Sequence, residues 1–278
     1  MMLAKSERYL TVTTSWDDGH PSDLRLANLL ARHGALGTFY IPTRNSEGRQ
    51  VLTAGQIADL ATHHEVGGHT RDHVPLIGLS SDRAYDQIWS NKLYLEETIR
   101  RRVSGFAFVR GASNRLTRNL VRRAGFSYAR CIRSLASARP NRPFAVPVTV
   151  QFFPHRSATY LKNFISGGPT VSRVRLLTTA LSHGSLASRC LALADACARS
   201  GHHFHLWGHS WELDEFGLWQ ELDDFFAQLK ELAPRYVTNS ESIRAGCRDD
   251  GSPAISSGTS IGVARNDAAS TAATSIAT

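Results

Sequence analysis

The sequence lacks any apolar run close to the roughly 20 residues that a helix needs to cross a bilayer. The first ten residues contain a lysine but no apolar stretch behind it, so they do not have the pattern of a secretory signal peptide. We therefore expect no transmembrane segment and no export, and predict a cytoplasmic protein.

Cysteine is also scarce, with four residues in the whole chain. They are Cys131, Cys190, Cys197 and Cys247, and no two of them have C-x-x-C spacing. This excludes the usual pattern of a disulfide framework and that of a zinc ribbon. A reducing compartment such as the cytoplasm fits this usage.

The chain nevertheless carries enough apolar material to fold. Hydrophobic residues make up 42% and charged residues 20% of its 278 positions, which argues against a fully disordered chain. Since α/β barrels reach about 250 residues as one unit, we predict one domain over residues 1–245. From residue 246 the composition changes to Ser, Ala, Thr, Gly and Asp, so residues 246–278 are predicted to be a disordered tail.

The charge is basic, with 32 Lys and Arg against 24 Asp and Glu, a formal net charge of +8. Such an excess raises the question of a nucleic-acid partner, because clustered cations release counterions from phosphates. The arginines here are spread from Arg100 to Arg175 and are not held in one run interleaved with aromatic residues. We predict a solvated basic surface and no nucleic-acid partner.

Strand-like and helix-like patterns alternate along the chain, which is typical of βα units around a parallel sheet. The predicted strands cover residues 10–16, 37–41, 65–69, 106–109, 126–128, 146–153, 203–207 and 235–238. This count of about seven or eight units fits a closed or nearly closed barrel, and a doubly wound open sheet is the alternative.

Polar side chains gather directly after three of these strands, and the carboxyl ends of parallel strands meet at one mouth. Residues 15–19 (Ser-Trp-Asp-Asp-Gly) end the first strand, residues 69–73 (His-Thr-Arg-Asp-His) follow the third, and residues 205–209 (His-Leu-Trp-Gly-His) end a late strand. The adjacent carboxylates of Asp17 and Asp18 must face different ways. One can therefore bind a cation while the other accepts a proton.

An aspartate with two histidines forms a set of metal ligands that leaves positions open for water and substrate. Such a set suits zinc, cobalt, nickel or ferrous iron. The Asp-Asp-Gly sequence also occurs at residues 249–251 in the tail, where we interpret it as a solvated turn. The context of the first copy, with a strand before it and a histidine pair at another strand end, favours a divalent metal site.

Together these motifs resemble those of the polysaccharide deacetylases of carbohydrate esterase family 4, the NodB-homology family. Residues 15–19 resemble the family's T-F-D-D-G motif and residues 69–73 its H-[ST]-x-x-H motif. Residues 106–111 are similar to its third motif and residues 206–209 to its late leucine-histidine motif. The resemblance extends over about residues 10–240. It implies a distorted (β/α) barrel of about seven strands and the metal-dependent removal of acetyl groups from sugars.

Carried over to this sequence, the resemblance implies a role for each matching residue. Asp17 is expected to be the general base and His209 the general acid. Asp18, His69 and His73 are expected to hold one divalent metal ion, zinc in the first place. The cation would polarise the acyl carbonyl while the two other residues move protons.

Three further residues are candidates for contacts with substrate. The resemblance implies that the backbone N–H of Arg110 donates to the tetrahedral oxyanion. His155 lies in a predicted loop, and Trp211 follows the late histidine motif, so both are candidate contacts to a sugar.

The third motif departs from the family pattern, because Ala107, Phe108 and Val109 stand where an arginine and prolines are common. The arginine that holds the base carboxylate is therefore missing from its usual place, and no clear equivalent of the Asp-Trp fourth motif is found. The predicted substrate is an N-acetylated sugar or glycan precursor, nucleotide-linked, lipid-linked or free. A metal-dependent deformylase or amidase and a catalytically inactive glycan-binding module are the alternatives.

Overall fold

The computed structural model describes residues 9–200 and 202–249, which form one curled parallel sheet surrounded by helices. The strands are β1 (Thr11–Asp17), β2 (Thr38–Ile41), β3 (Glu65–Gly68), β4 (Gly105–Ala107), β5 (Tyr128–Arg130), β6 (Val150–Gln151), β7 (His203–His209) and β8 (Arg235–Tyr236). Their order is β5-β4-β3-β2-β1-β7-β6, with β8 beside β1. Every pairing is parallel, so the carboxyl ends of the strands lie at one end of the sheet.

Ten helices connect or cover the described strands. They are α1 (Asp23–Arg32), α2 (Ala54–Leu60), α3 (Ser81–Ile99), α4 (Arg115–Arg123), α5 (Ser157–Gly167), α6 (Val171–Leu181), α7 (Leu186–Ser200), α8 (Ser210–Glu215), α9 (Trp219–Leu229) and α10 (Asn239–Asp249). A capping box begins α2, since the Thr53 side chain accepts from the Gln56 backbone N–H and the Gln56 side chain accepts from Thr53 N–H. Within the described residues, no helix is long and apolar enough to cross a membrane.

The first strand is the centre of the sheet, and all seven of its residues are buried. It pairs with β2 on one side and β7 on the other. Every second residue of β1, from Thr11 to Asp17, is polar. These side chains face a polar interior, where Ser15 Oγ lies 2.8 Å from His205 Nε2. This contact gives the buried His205 of β7 the hydrogen-bond partner that a buried imidazole needs.

The barrel is distorted because irregular segments close it, and not a regular pair of strands. Backbone hydrogen bonds join residues 131–136 to residues 146–149, for example from Cys131 N–H to Val146 C=O at 2.9 Å and from Leu135 N–H to Thr149 C=O at 2.9 Å. These bonds connect the β5 edge to the β6–β7 edge. The predicted distorted barrel is thereby confirmed, and the open doubly wound sheet is not observed.

The amino end of the barrel is closed by a polar cluster under α10. The buried Glu65 carboxylate accepts hydrogen bonds from Thr38 Oγ1 at 3.0 Å, Tyr128 OH at 2.9 Å and the Ser240 N–H at 3.0 Å. Burial raises the pKa of Glu65, and the donors oppose that rise. This end is therefore occupied by the chain itself, and the open end is the carboxyl end.

Several predicted boundaries differ from the structure. The strand predicted over 146–153 is regular only at Val150–Gln151, and the strand predicted over 126–128 lies instead at Tyr128–Arg130. The helices α5 and α6 occupy a stretch in which the sequence pattern predicted no element. Residues 246–249, predicted to begin the disordered tail, belong to α10, and the rest of that predicted tail lies outside the described residues.

Candidate active site

The candidate site lies at the carboxyl end of β1, where strand register brings the predicted residues together. Asp17 pairs in register with His209 at the end of β7 and with Tyr40 on β2. Asp17 and Asp18 are 4% and 5% exposed, so neither carboxylate is a solvated surface group. Two of the three polar strand ends singled out in the sequence therefore lie side by side.

Asp18, His69 and His73 form one compact cluster. Asp18 Oδ1 lies 2.9 Å from His73 Nε2 and 3.6 Å from His69 Nε2, and one ligand atom from each residue falls within 4.8 Å of the others. All three residues are buried. The sequence separation of about fifty residues is bridged because β1 and β3 both flank β2.

The backbone turns sharply where these ligands are held. Asp18, Thr70 and His73 have φ angles of 81°, 65° and 54°, in the left-handed region that side-chain-bearing residues rarely adopt. The turn at Asp18 directs its carboxylate away from that of Asp17, as adjacent residues with different tasks require. Gly19 follows at a φ of 61°, and a Cβ there would lie 2.7 Å from Ile41 Cγ2. Such unfavourable conformations concentrate at functional sites.

A hydrogen bond fixes the orientation of His69. Its Nδ1 lies 2.8 Å from the Ala107 carbonyl oxygen at the end of β4, so Nδ1 donates to this carbonyl and Nε2 is the nitrogen that faces Asp18. The His69 backbone N–H donates to Asn91 Oδ1 at 2.9 Å, which fixes the main chain as well. A carbonyl behind a ligating imidazole is the usual support of a metal-binding histidine.

Trp211 contacts the same carboxylate from the other side. Its indole Nε1 donates to Asp18 Oδ2 at 2.8 Å, and the Arg49 guanidinium lies 3.5 Å from the centre of its ring. The residue predicted as a sugar contact therefore lies against the candidate metal ligands. With Oδ2 accepting this bond, Oδ1 is the oxygen directed at the two histidines.

The electrostatics of Asp18 favour the ionised form. Burial by itself raises its pKa, but the interactions with His69 and His73 and the charge of His209 outweigh burial and hold the pKa well below its usual range. Asp18 Oδ1 is buried and has no hydrogen-bond donor of good geometry among the described residues. A buried carboxylate oxygen beside two imidazole nitrogens is a donor set that fits a divalent cation of the zinc type.

Asp17 is held by an arginine that the sequence pattern did not single out. Arg130, the last residue of β5, is fully buried and donates from its guanidinium to Asp17 Oδ2. The guanidinium carbon lies 5.3 Å from the Tyr40 ring centre and 5.0 Å from that of Trp207. An arginine thus holds this carboxylate, although it comes from β5 and not from the third motif.

Only one oxygen of Asp17 is engaged in this way. Asp17 Oδ1 is buried and has no hydrogen-bond partner among the described residues. A buried carboxylate oxygen without a donor is costly unless a ligand or water completes it. The anchored oxygen sets the orientation, and the free oxygen is the one that can accept a proton.

His209 forms an ion pair within its own segment. Its Nδ1 lies 2.9 Å from Glu212 Oε2, three residues later in α8. Burial lowers the pKa of His209, but the hydrogen bond with Glu212 and the charges of Asp18, Glu212 and Asp17 together raise it to about 9. His209 is therefore protonated at neutral pH.

A polar chain continues from this pair to a predicted substrate contact. Gln151 Nε2 donates to Glu212 Oε2 at 3.1 Å, and Gln151 Oε1 lies 2.9 Å from His155 Nε2. His155 thus lies on the same side of the barrel as His209, connected to it through two side chains. The sequence pattern indicated His155 but not Glu212, whose position three residues after the histidine was its only signal.

Arg110 lies on the histidine side of the candidate metal cluster, near His73. It has a φ of 55° in the turn after β4, and its exposed side chain donates to Glu47 Oε1 at 2.8 Å. Glu47 Oε2 is also 3.9 Å from His73 Nδ1. The turn carrying Arg110 is therefore adjacent to the histidine side of the site.

A third buried carboxyl, Asp23 at the start of α1, belongs to the same region. It is fully buried, and burial raises its pKa well above the usual value, with the charges of Asp18 and Asp17 acting in the same direction. Burial and the neighbouring carboxylates therefore both disfavour a third negative charge beside the pair. Nothing in the sequence pattern distinguished it from an ordinary residue at a helix start.

Solved structures with the same architecture were found by comparison. A family 4 acetyl xylan esterase from Clostridium thermocellum, in complex with a cobalt ion, shares 14% identity over 87% of this chain and 93% of its own, with a TM-score of 0.53. A peptidoglycan N-acetylglucosamine deacetylase shares 17% identity over 83% and 86%, with a TM-score of 0.52. A family pseudoenzyme from Bacillus anthracis shares 16% over 84% and 66%, with a TM-score of 0.52. At these identities the likeness shows the fold.

The fold and the site together define a class, the distorted α/β barrels with an Asp-His-His candidate metal site at the carboxyl end of the strands. The family model of the polysaccharide deacetylases matches residues 5–129, the part that contains Asp17, Asp18, His69 and His73. The resemblance given by the motifs is therefore confirmed over residues 5–129, which match the family model. No curated protein matches the sequence.

Proposed function

We propose that this protein is a metal-dependent hydrolase that removes an acetyl group from an N-acetylated sugar or glycan precursor. The observation that carries the proposal is the convergence, at one strand end, of a buried Asp-His-His set with an anchored carboxylate and a protonated histidine. The family match and the deacetylase among the structural relatives support the substrate class.

In this proposal Asp18, His69 and His73 hold one divalent ion. The ion supplies, when bound, Lewis acidity toward the acyl carbonyl and toward water. The donor set of one carboxylate and two imidazoles favours zinc, with cobalt, nickel or ferrous iron as alternatives.

Asp17 is proposed as the general base. Arg130 fixes Oδ2, so Oδ1 remains to take a proton from the attacking water. The guanidinium also supplies a partner at this buried position, where an unpaired carboxylate would be unfavourable. The base is therefore oriented before substrate arrives.

His209 is proposed as the general acid that protonates the departing amine. Its raised pKa keeps the proton available at neutral pH, and Glu212 stabilises the imidazolium. The backbone N–H of Arg110 is the proposed donor to the tetrahedral oxyanion, and Trp211 and His155 are proposed to border the sugar. Since the described cysteines are free, we infer a reducing, cytoplasmic location and a precursor substrate.

Acetate release from N-acetylated sugars, measured with and without a chelator, tests the proposal. We expect acetate to appear, to stop after chelation and to return when one equivalent of zinc is added. Formate released from N-formylated sugars in place of acetate would identify the deformylase alternative. Sugar binding without release of either acid would identify an inactive glycan-binding module.

The pH profile of the Glu212→Gln variant tests the role of His209. Removing the carboxylate leaves burial as the dominant effect, so the pKa of His209 should fall. A charge-assisted hydrogen bond of about 1.5–3 kcal/mol corresponds to a fall of about one to two pKa units. Because the protonated form is the acid, activity should be lost at a pH lower by this amount.

A matched control lies in the same helix. Glu215 is exposed and its closest charged partner is Arg49 at 3.9 Å, so Glu215→Gln should keep the alkaline limb of the profile near pH 9. An alkaline limb unchanged in Glu212→Gln would show that His209 is not the acid.

A further inference from the structure

A second concave surface lies beside the candidate active site, between the chain that follows β4 and β5 and the helices α5 and α6. Its volume is about 740 Å³, within the roughly 300–1,000 Å³ typical of ligand sites. Five arginines line this groove: Arg118, Arg133, Arg139, Arg142 and Arg173. We refer to it below as the arginine groove.

The charge of the arginine groove is of one sign. None of its lining residues among those described is an aspartate or glutamate. No ion pair in the described part of the chain involves Arg118, Arg133, Arg142 or Arg173. The like charges of these four arginines repel each other, and an anionic ligand reduces that repulsion.

The floor of the groove is a built feature and not a set of mobile side chains. Arg173 is 3% exposed, and its guanidinium donates to neutral backbone carbonyls, among them Phe164 at 2.9 Å and Asn163 at 2.8 Å. The N–H groups of Arg173 therefore have hydrogen-bond acceptors, but no carboxylate among the described residues pairs with its positive charge. Burial lowers the pKa of Arg173 and the charge of Arg133 adds to this effect, so the two cations share one field.

One end of the groove touches the loops of the candidate active site. Gly111 directly follows Arg110, and Cys131 directly follows Arg130, the partner of Asp17. The two loops are in contact, because a Cβ on Gly111 would lie 2.2 Å from Ile132 Cγ1. The groove therefore borders the two loops that begin at Arg110 and Arg130.

We propose that the arginine groove binds a phosphate or diphosphate group linked to the sugar, a step that rests on the proposed deacetylase function. The substrate is then an N-acetylated sugar carried on a phosphate or diphosphate, and not a neutral polymer. Guanidinium groups match phosphate oxygens with paired hydrogen bonds, and a groove with several of them binds such a group better than a neutral glycan.

Calorimetric binding to the Asp17→Asn protein tests this without turnover. We expect UDP-N-acetylglucosamine to bind at least about tenfold more tightly than N,N′-diacetylchitobiose, since each charge-assisted hydrogen bond to a phosphate strengthens binding about tenfold or more. Arg133→Gln and Arg142→Gln, both at exposed positions, should each weaken binding of the UDP-sugar about tenfold and the double variant more. Arg83→Gln, an exposed arginine of α3 outside the groove, should leave the affinity unchanged.

Further arms of the same experiment separate the carriers. One arm measures the binding of a prenyl-diphosphate N-acetylglucosamine in detergent. If it binds more tightly than the UDP-sugar, and if the double variant loses this tighter binding, the result would support the proposal with a lipid carrier. Equal affinity for chitobiose and the UDP-sugar, or unchanged affinity in the double variant, would overturn it. So would tighter binding of a ten-nucleotide thymidine strand through the same arginines. Failure of the enzyme to release acetate from any sugar would instead contradict the proposed function and leave the binding result intact.

Discussion

Asp17→Asn is expected to release acetate about 10²–10⁴ times more slowly than the wild-type protein while binding the same amount of metal. The amide cannot accept the proton of the attacking water. The proposed ligands of the cation are Asp18 and the two histidines, whereas Asp17 contacts Arg130. Rates of acetate release under saturating substrate, with metal content measured on the same samples, give both values.

Two control variants show whether the loss of activity is specific to Asp17. One tests the neighbouring carboxylate, and the other tests the loss of an ordinary exposed carboxylate. Asp18→Asn should lose metal and activity together, because that residue is proposed as a ligand. Asp82→Asn, at an exposed position in the first turn of α3, should keep both. Full activity in Asp17→Asn would show that the base has been assigned to the wrong residue.

Arg130→Met should reduce both stability and turnover. The substitution leaves the carboxylate of Asp17 buried without its partner, and removing one member of a buried pair costs about 3–5 kcal/mol. The base is also no longer held in its orientation, so acetate release should fall more than tenfold, since misplaced catalytic groups lose up to about 10² in rate. Denaturant unfolding and initial rates below the unfolding transition measure the two effects separately.

A double-mutant cycle shows whether Arg130 acts through Asp17. In the Asp17→Asn background, Arg130→Met should cost little further activity, because the carboxylate it positions is already absent. Arg189 is a matched control: it is 8% exposed and donates to the Ala180 and His183 carbonyls at 2.8 and 2.7 Å. Arg189→Met should lower stability with a much smaller effect on the rate. Equal and additive rate losses would mean that Arg130 does not position the base.

The sequence predicted the centre of the site because a parallel sheet places all strand ends at one mouth. Asp17, Asp18, His69 and His73 each follow or end a strand whose pattern is clear, so their convergence follows from topology. His209 was found for the same reason, at the end of β7. The alternation of elements also predicted a closed or nearly closed barrel, because the strand and helix periods differ throughout the first half of the chain. Its distortion was implied by the family resemblance.

The supporting residues could not be predicted in the same way. Arg130 ends a strand that was predicted two residues too early, so it appeared to lie in a loop. It pairs with Asp17 across 113 positions, a contact that no local pattern encodes. Glu212 pairs with His209 from the first turn of α8, and its position three residues after the histidine was its only signal. The backbone hydrogen bonds of residues 131–149 close the barrel without forming a regular strand. Hydrophobic periodicity does not detect a segment of this kind.

The central claim is that Asp18, His69 and His73 bind one catalytic cation, and metal analysis of purified protein tests it most directly. The wild-type protein and Asp17→Asn should each contain one equivalent of a divalent metal. His69→Ala and His73→Ala should lose both metal and acetate release, whereas His63→Ala and His155→Ala should keep the metal. Stoichiometric metal that persists after both His69 and His73 are replaced would contradict the account.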